Sequence, residues 1–187
     1  MEYFLVVDLE ATCSDDGSVP REEMETIEIG AVMVSSATQQ PVGEFQTFVR
    51  PVRHPELTDF CHTLTSIDQS DVDAAPLFPA AFADFLTWAD RVPRYTFCSW
   101  GDFDRNQLQR DCLWHSMHYP LGRAHINLKA EFASAFGRRK KMGVSAALKH
   151  VGFTFSGSHH RGIDDARNIA RLIPFVFPPR DGAEDRA

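Results

Sequence analysis

Asp8 and Glu10 close the apolar run Tyr3-Phe4-Leu5-Val6-Val7. Residues two apart on an extended strand point to one face, so the two carboxylates stand side by side. Two such charges a few ångströms apart in a low dielectric repel each other, and a proton or a cation has to relieve them. A divalent metal does so most simply. An Asp-x-Glu at a frayed strand end in water would need no such relief, so the reading depends on further ligands elsewhere in the chain. Asp104 supplies one, just after the β-rich Tyr95-Thr96-Phe97-Cys98-Ser99-Trp100 and a Gly-Asp-Phe turn, and Asp165 supplies another near the start of a late helical stripe. Four carboxylates with no sulfur partner suit a hard cation, Mg²⁺ or Mn²⁺, which keeps water positions open for a phosphate oxygen. A pair of such ions about 3.5–4 Å apart is the usual arrangement for phosphodiester hydrolysis. His160 lies between Gly157 and Gly162, five residues before Asp165. A side chain of that type titrates near neutrality and can take the proton of an attacking water.

These residues need a scaffold that gathers them. Tyr3–Thr12, Thr26–Val34 and Val42–Val49 read as strands joined by short turns, an antiparallel meander. Glu56–His62 and Ser66–Asp68 read as short helical turns that rim a cleft. Leu77, Ala80, Ala81, Phe82, Phe85, Leu86 and Ala89 fall at helical spacing behind Pro76 and Pro79, where proline is tolerated. Tyr95–Trp100 followed by a helix through Leu113 is a βα unit, and functional groups of open sheets gather at the carboxyl ends of their strands. Leu128–Phe136 and Ser145–Val151 read as helices around a basic loop at Gly137–Gly143. Ile163, Ala166, Ile169, Ala170 and Ile173 form one continuous stripe that Pro178-Pro179 stops.

A chain of 187 residues suits one α/β domain that buries roughly 70% of its unfolded surface. No apolar run reaches the 18 or so residues of a membrane span, and Met1-Glu2-Tyr3 lacks the basic region of a signal peptide. The four cysteines, Cys13, Cys61, Cys98 and Cys112, show no CxxC spacing, so they read as reduced thiols of a soluble, cytoplasmic protein. The formal charge of −7 opposes broad attraction to nucleic acid, yet basic residues concentrate late, at Arg138-Arg139-Lys140-Lys141, Lys149, Arg161, Arg167 and Arg171. A polyanion can therefore approach one side.

Asp8-x-Glu10, Trp100-Gly101-Asp102-Phe103-Asp104 and His160 through Ala170 together resemble the three motifs of the DEDDh 3′-to-5′ exonucleases. Asp8-Leu9-Glu10-Ala11-Thr12-Cys13, Leu57-Thr58-Asp59-Phe60-Cys61 and Ile126-Asn127-Leu128-Lys129 are similar to the branch that contains the 3′ histone-mRNA exonuclease and its bacterial relatives. The resemblance implies a ribonuclease H-like fold, a mixed five-stranded sheet flanked by helices, with residues 1–177 as the exonuclease domain and 178–187 as a loose tail. It implies that Asp8, Glu10, Asp104 and Asp165 hold two divalent ions, Asp8 bridging them, and that His160 is the base. Asp102, Asp164 and His159 are close neighbours in sequence that the same pattern passes over. Ala11 and Thr12 would lie against the terminal nucleotide, Phe60 and Leu64 would wedge its base, and Lys129, Arg138 and Lys141 would hold the phosphate backbone. The expected activity removes 5′-mononucleotides from the 3′ end of a single strand, RNA favoured over DNA. A DNA-directed proofreading or repair exonuclease and a binding module without catalysis are the alternatives.

Overall fold

The computed structural model describes residues 2–122 and 124–178. The five strands are β1 (Tyr3–Ala11), β2 (Thr26–Ser35), β3 (Pro41–Phe48), β4 (Tyr95–Ser99) and β5 (His125–Asn127). They form one mixed sheet in the order β3-β2-β1-β4-β5. β1 pairs antiparallel with β2 and β2 with β3, whereas β4 runs parallel to both β1 and β5. The fold is ribonuclease H-like, as the motifs imply.

Alternation along the strands splits the core in two. Leu5, Val7 and Leu9 of β1 pack with Ile29, Ala31 and Met33 of β2 against α3 (Phe78–Ala89) and α4 (Phe103–Trp114). Phe4 and Val6, with Val32 and Val34, face the opposite side, under α5 (Leu128–Ala135), α6 (Val144–His150), α7 (Gly162–Ala170) and α8 (Ile173–Val176). Continuing that second face by steps of two along β1 reaches Asp8 and then Glu10. The apolar core thus gives way to acid at the carboxyl end of the strand. α1 (Asp59–Thr65) and α2 (Gln69–Asp73) cover the same end with a small cluster of Ile27, Cys61, Ile67 and Val72.

Two expectations are corrected by the structure, and one strand that the sequence did not locate is added. Ser66–Asp68 is not a helical turn of its own: Ser66 ends α1 at φ +56°, and Asp68 caps α2. The late stripe is not one helix either. α7 stops at Ala170, and a turn at Arg171–Leu172 precedes α8, because Pro174 has no N–H to donate to the Ala170 carbonyl. The fifth strand is the three-residue His125–Asn127, which pairs with Phe97–Ser99. It is too short for periodicity to locate. Of the expected tail, residues 179–187 lie outside the described residues. No described helix is long and apolar enough to cross a membrane.

Candidate active site

Three carboxylates converge where β1, β2 and the start of α7 meet. One oxygen each from Asp8, Glu10 and Asp165 lies within 4.8 Å of the others. Asp104, on the first turn of α4, joins them by accepting the Leu9 backbone N–H through Oδ1 at 3.0 Å. That bond ties the α4 N-terminus to the peptide between Asp8 and Glu10. Side-chain spacing on β1 therefore sets one pair, and two helix starts deliver the other acids.

Burial opposes ionisation here, and neighbouring charge adds to it. Asp8 is raised well above the usual carboxylate range by burial, then by Asp104, Glu10 and Asp165. Glu10 is pushed up to about 9 by burial and by Asp165, Glu28 and Asp104. Asp104 rises to about 6, through burial opposed by hydrogen bonds from the Leu9 N–H, its own N–H and Ser99. Asp165 is raised by burial, against the backbone N–H of His160 and the nearby histidines. Among the described residues, none of the four pairs with a lysine or arginine. The donor set is all carboxylate oxygen, which fits a hard divalent cation.

The cluster forms the floor of a cleft of about 630 Å³. Leu9, Ala11, Cys13, Met24, Leu64 of α1, Trp100, Phe103 and the α6 start at Gly143–Ala146 line it. His159 and His160, both exposed, also line it. The two histidines differ in their ties. His159 packs its ring 3.8 Å from that of Phe155 and sits 3.5 Å from Ser145 Oγ. His160 adopts the left-handed φ of +58° and donates its backbone N–H to Asp165 Oδ2 at 2.8 Å, leaving its exposed imidazole without a hydrogen bond among the described residues.

Asp102 and Asp164 are drawn into ordinary contacts. Asp102 bonds Asn127 and Arg105, and Asp164 accepts from Ser158 N–H and pairs with Arg167. Of the residues expected at the nucleotide, Ala11 and Leu64 line the cleft. Thr12 is 2% exposed, with its N–H donated to the Glu25 carbonyl and its hydroxyl accepting the Glu25 N–H. Phe60 lies partly exposed on α1, and Lys129, Arg138 and Lys141 lie on α5 and the basic loop; none of these four lines the cleft. Met24, Phe103 and the α6 start were not anticipated, since nothing in their types marks them. Trp100 packs against the core beside Phe132 and also lines the cleft, while its Nε1 donates to the Met142 carbonyl at 3.0 Å.

An open mixed sheet with acids from one strand end and two helix starts, and a histidine five residues before the last acid, defines a DEDDh-type nuclease domain. The comparisons agree. Residues 5–173 match the Exonuclease (RNase_T) family. Human ERI1 exoribonuclease 2 is 34% identical over 193 residues, covering 91% of this chain and 28% of that protein. The probable 3′-5′ exonuclease KapD of Bacillus subtilis is 30% identical over 172 residues, covering 92% of this chain and 83% of that one. The nuclease domain of 3′hExo, a DEDDh family member solved with rAMP, superposes with a TM-score of 0.84 at 28% identity, covering 91% of this chain and 89% of that one. The chain belongs to the Exonuclease family, as a DEDDh-type 3′-to-5′ exonuclease domain of the ERI1/3′hExo and KapD group. It spans less than a third of the length of the ERI1 exoribonuclease 2 sequences it matches.

Proposed function

We propose that residues 1–177 form a metal-dependent exonuclease unit that releases 5′-mononucleotides from the 3′ end of single-stranded RNA. The observation that carries this reading is the meeting of Asp8, Glu10 and Asp165 oxygens within 4.8 Å, with no lysine or arginine paired to them among the described residues. In the proposal Asp8, Glu10, Asp104 and Asp165 would together hold divalent ions, two of Mg²⁺ or Mn²⁺. When bound, such ions lower the pKa of a water and stabilise charge on the phosphate and the departing oxygen.

The chain's own residues would do the rest. His160 would take the proton of the attacking water as its oxygen bonds to phosphorus and the bond from phosphorus to the 3′-oxygen breaks; that oxygen leaves with a proton from solvent. The backbone bond from His160 to Asp165 ties this loop to the acids, and the exposed imidazole could pass its proton to bulk water. Ala11 and Leu64 would pack against the terminal nucleotide, with Thr12 fixing the strand end beneath it and Phe60 at the outer edge of α1. Lys129, Arg138 and Lys141 would steer the upstream backbone, a contact that carries little base information. The preference for RNA is supported by the relatives, one named an exoribonuclease and another solved with rAMP. The free thiols, three of them buried, support a cytoplasmic setting.

Matched 5′-labelled RNA and DNA strands test the proposal, with Mg²⁺ or Mn²⁺ against chelator and Asp8→Ala as control. A metal-dependent ladder that shortens RNA from its 3′ end, with DNA slower, is the expected result. Preferential shortening of DNA would replace RNA as the substrate. Absence of cleavage in both polymers would overturn the enzymatic reading in favour of a binding module.

A further inference from the structure

A fifth carboxylate lies beside the four and has a different set of partners. Glu28 sits on β2 directly across from Glu10, and Gly30 sits across from Asp8. Because β2 alternates like β1, Glu28 and Gly30 share the face of Asp8 and Glu10. The Glu28 residue is 0% exposed. A carboxylate buried this deeply is strongly destabilising unless its lone pairs are met, and here they are. Oε2 accepts the Gly162 backbone N–H at 3.0 Å and Arg161 Nε at 3.2 Å, while Oε1 accepts Gln46 Nε2 from β3 at 2.7 Å.

Gly162 is the first residue of α7, and the helix has no side-chain cap of its own, since Arg161 occupies the cap position. The first N–H groups of a helix need an acceptor and favour negative charge. Glu28 provides both from a neighbouring strand. Backbone contact completes the arrangement. A Cβ on Gly162 would lie 2.9 Å from the Asp8 carbonyl oxygen, and one on Gly30 would lie 2.0 Å from the Gly162 carbonyl carbon. The start of α7 therefore rests on the Asp8–Gly30 pair itself. Arg161, held by Glu28, also lies 5.2 Å over the Phe48 ring of β3. Asp165 is the fourth residue of this helix, so the origin of α7 decides where its carboxylate meets Asp8 and Glu10.

We propose that Glu28 is a positioning residue: with Arg161 it caps α7 across the sheet and fixes Asp165 against Asp8 and Glu10. The proposal rests on the reading of those acids as a metal site. It adds that the site's geometry is set by a carboxylate that holds no ion. Glu28 also raises Glu10 and Asp8 through its charge.

The test measures Mn²⁺ affinity without substrate, by the electron paramagnetic resonance signal of the free ion, alongside kcat at saturating metal and the thermal midpoint. Glu28→Gln keeps the shape and removes the charge. It is expected to weaken Mn²⁺ binding about tenfold, the scale seen when outer support of a metal site is lost, and to lower kcat in step. Arg161→Gln is expected to reproduce the loss in a partly exposed residue whose replacement leaves the core intact, and Arg161→Lys to recover part of it. If Mn²⁺ affinity and kcat stay within twofold of wild type in Glu28→Gln and Arg161→Gln while only the thermal midpoint falls, the brace is purely structural and the proposal is overturned. Wild-type protein that binds no Mn²⁺ would instead remove the metal-site reading on which the proposal stands.

Discussion

Two groups of buried acids lie on this sheet, and they are built in opposite ways. Around Arg53, Glu25 accepts the backbone N–H groups of Val52, Arg53 and His54 at 2.9, 2.7 and 2.9 Å. Asp111 accepts Thr26 N–H and hydroxyl and Gln107 Nε2, with Arg53 3.9 Å away. Burial still raises Asp111, but Thr26, Gln107 and Arg53 pull it back. Three of these four carboxylate oxygens accept hydrogen bonds, and the guanidinium supplies the opposite charge. The second group, Asp8, Glu10, Asp104 and Asp165, has the burial without the cation. Partnered acids hold loops to strands, whereas acids left short of positive charge imply that something else brings it. Glu28 lies between the two kinds, next to the second group in space but satisfied like the first.

The contrast predicts opposite results from the same kind of substitution. Removing an acid from the unneutralised group should end the chemistry without harming the fold. Asp8→Ala is expected to lower turnover by at least about 10³-fold, as when one member of a catalytic unit is lost, and to raise the metal-free thermal midpoint because like charges are relieved. A labelled-strand assay and a melting curve check both. His160→Asn should reduce turnover by about 10²-fold or more, the range of general-base catalysis, with Mn²⁺ affinity little changed. Equal loss in His159→Asn alone would assign the proton transfer to the other ring. Asp111→Ala should leave metal binding intact but cost roughly 3 kcal/mol by taking the acceptor from the buried Thr26 and Gln107 donors, seen as a fall of about 6–12 °C in melting temperature for a chain of this size.

The smallest effect is a pH dependence. An acid whose folded-state pKa is raised binds more protons folded than unfolded between its two pKa values, so folded stability falls as pH rises through that window. For Glu10, pushed up to about 9, the window runs from the ordinary carboxylate range to about 9; for Asp104 it closes near 6. Metal-free protein should therefore melt at lower temperature at pH 9 than at pH 5. Added Mg²⁺ should restore more at the alkaline end. Melting curves across that range, with and without the ion, check the sign.

Much of the acidic site was legible because its logic is local. A period of two places Asp8 beside Glu10, a strand-turn-helix places Asp104, and an apolar stripe at helical spacing places Asp165. The antiparallel meander of β1 to β3 was legible for the same reason, since long alternating strands with short turns leave few other pairings. Three-residue β5 was not, because its pairing to β4 is a tertiary fact. The break after Ala170 was obscured by a stripe that stays apolar through Ile173, although Pro174 carried the signal. The partnered acids were invisible as such. Glu25, Glu28 and Asp111 take donors from segments far away in sequence. Glu28 nevertheless had a trace, as a lone acid between Ile27 and Ile29 in a strand otherwise fit for the core. Cleft walls such as Met24 and the α6 start depend on how helices close over the sheet, which no spacing encodes.

The central claim is that the unneutralised acids are completed by divalent cations, and calorimetric titration of Mn²⁺ into metal-free wild-type protein and Asp8→Ala tests it most directly. The account predicts saturable binding of about two ions to wild type, severe loss of that binding in Asp8→Ala, and no change in an Asp102→Ala control. Wild-type protein that takes up no Mn²⁺, or an Asp8→Ala protein that binds it as wild type does, would contradict the account.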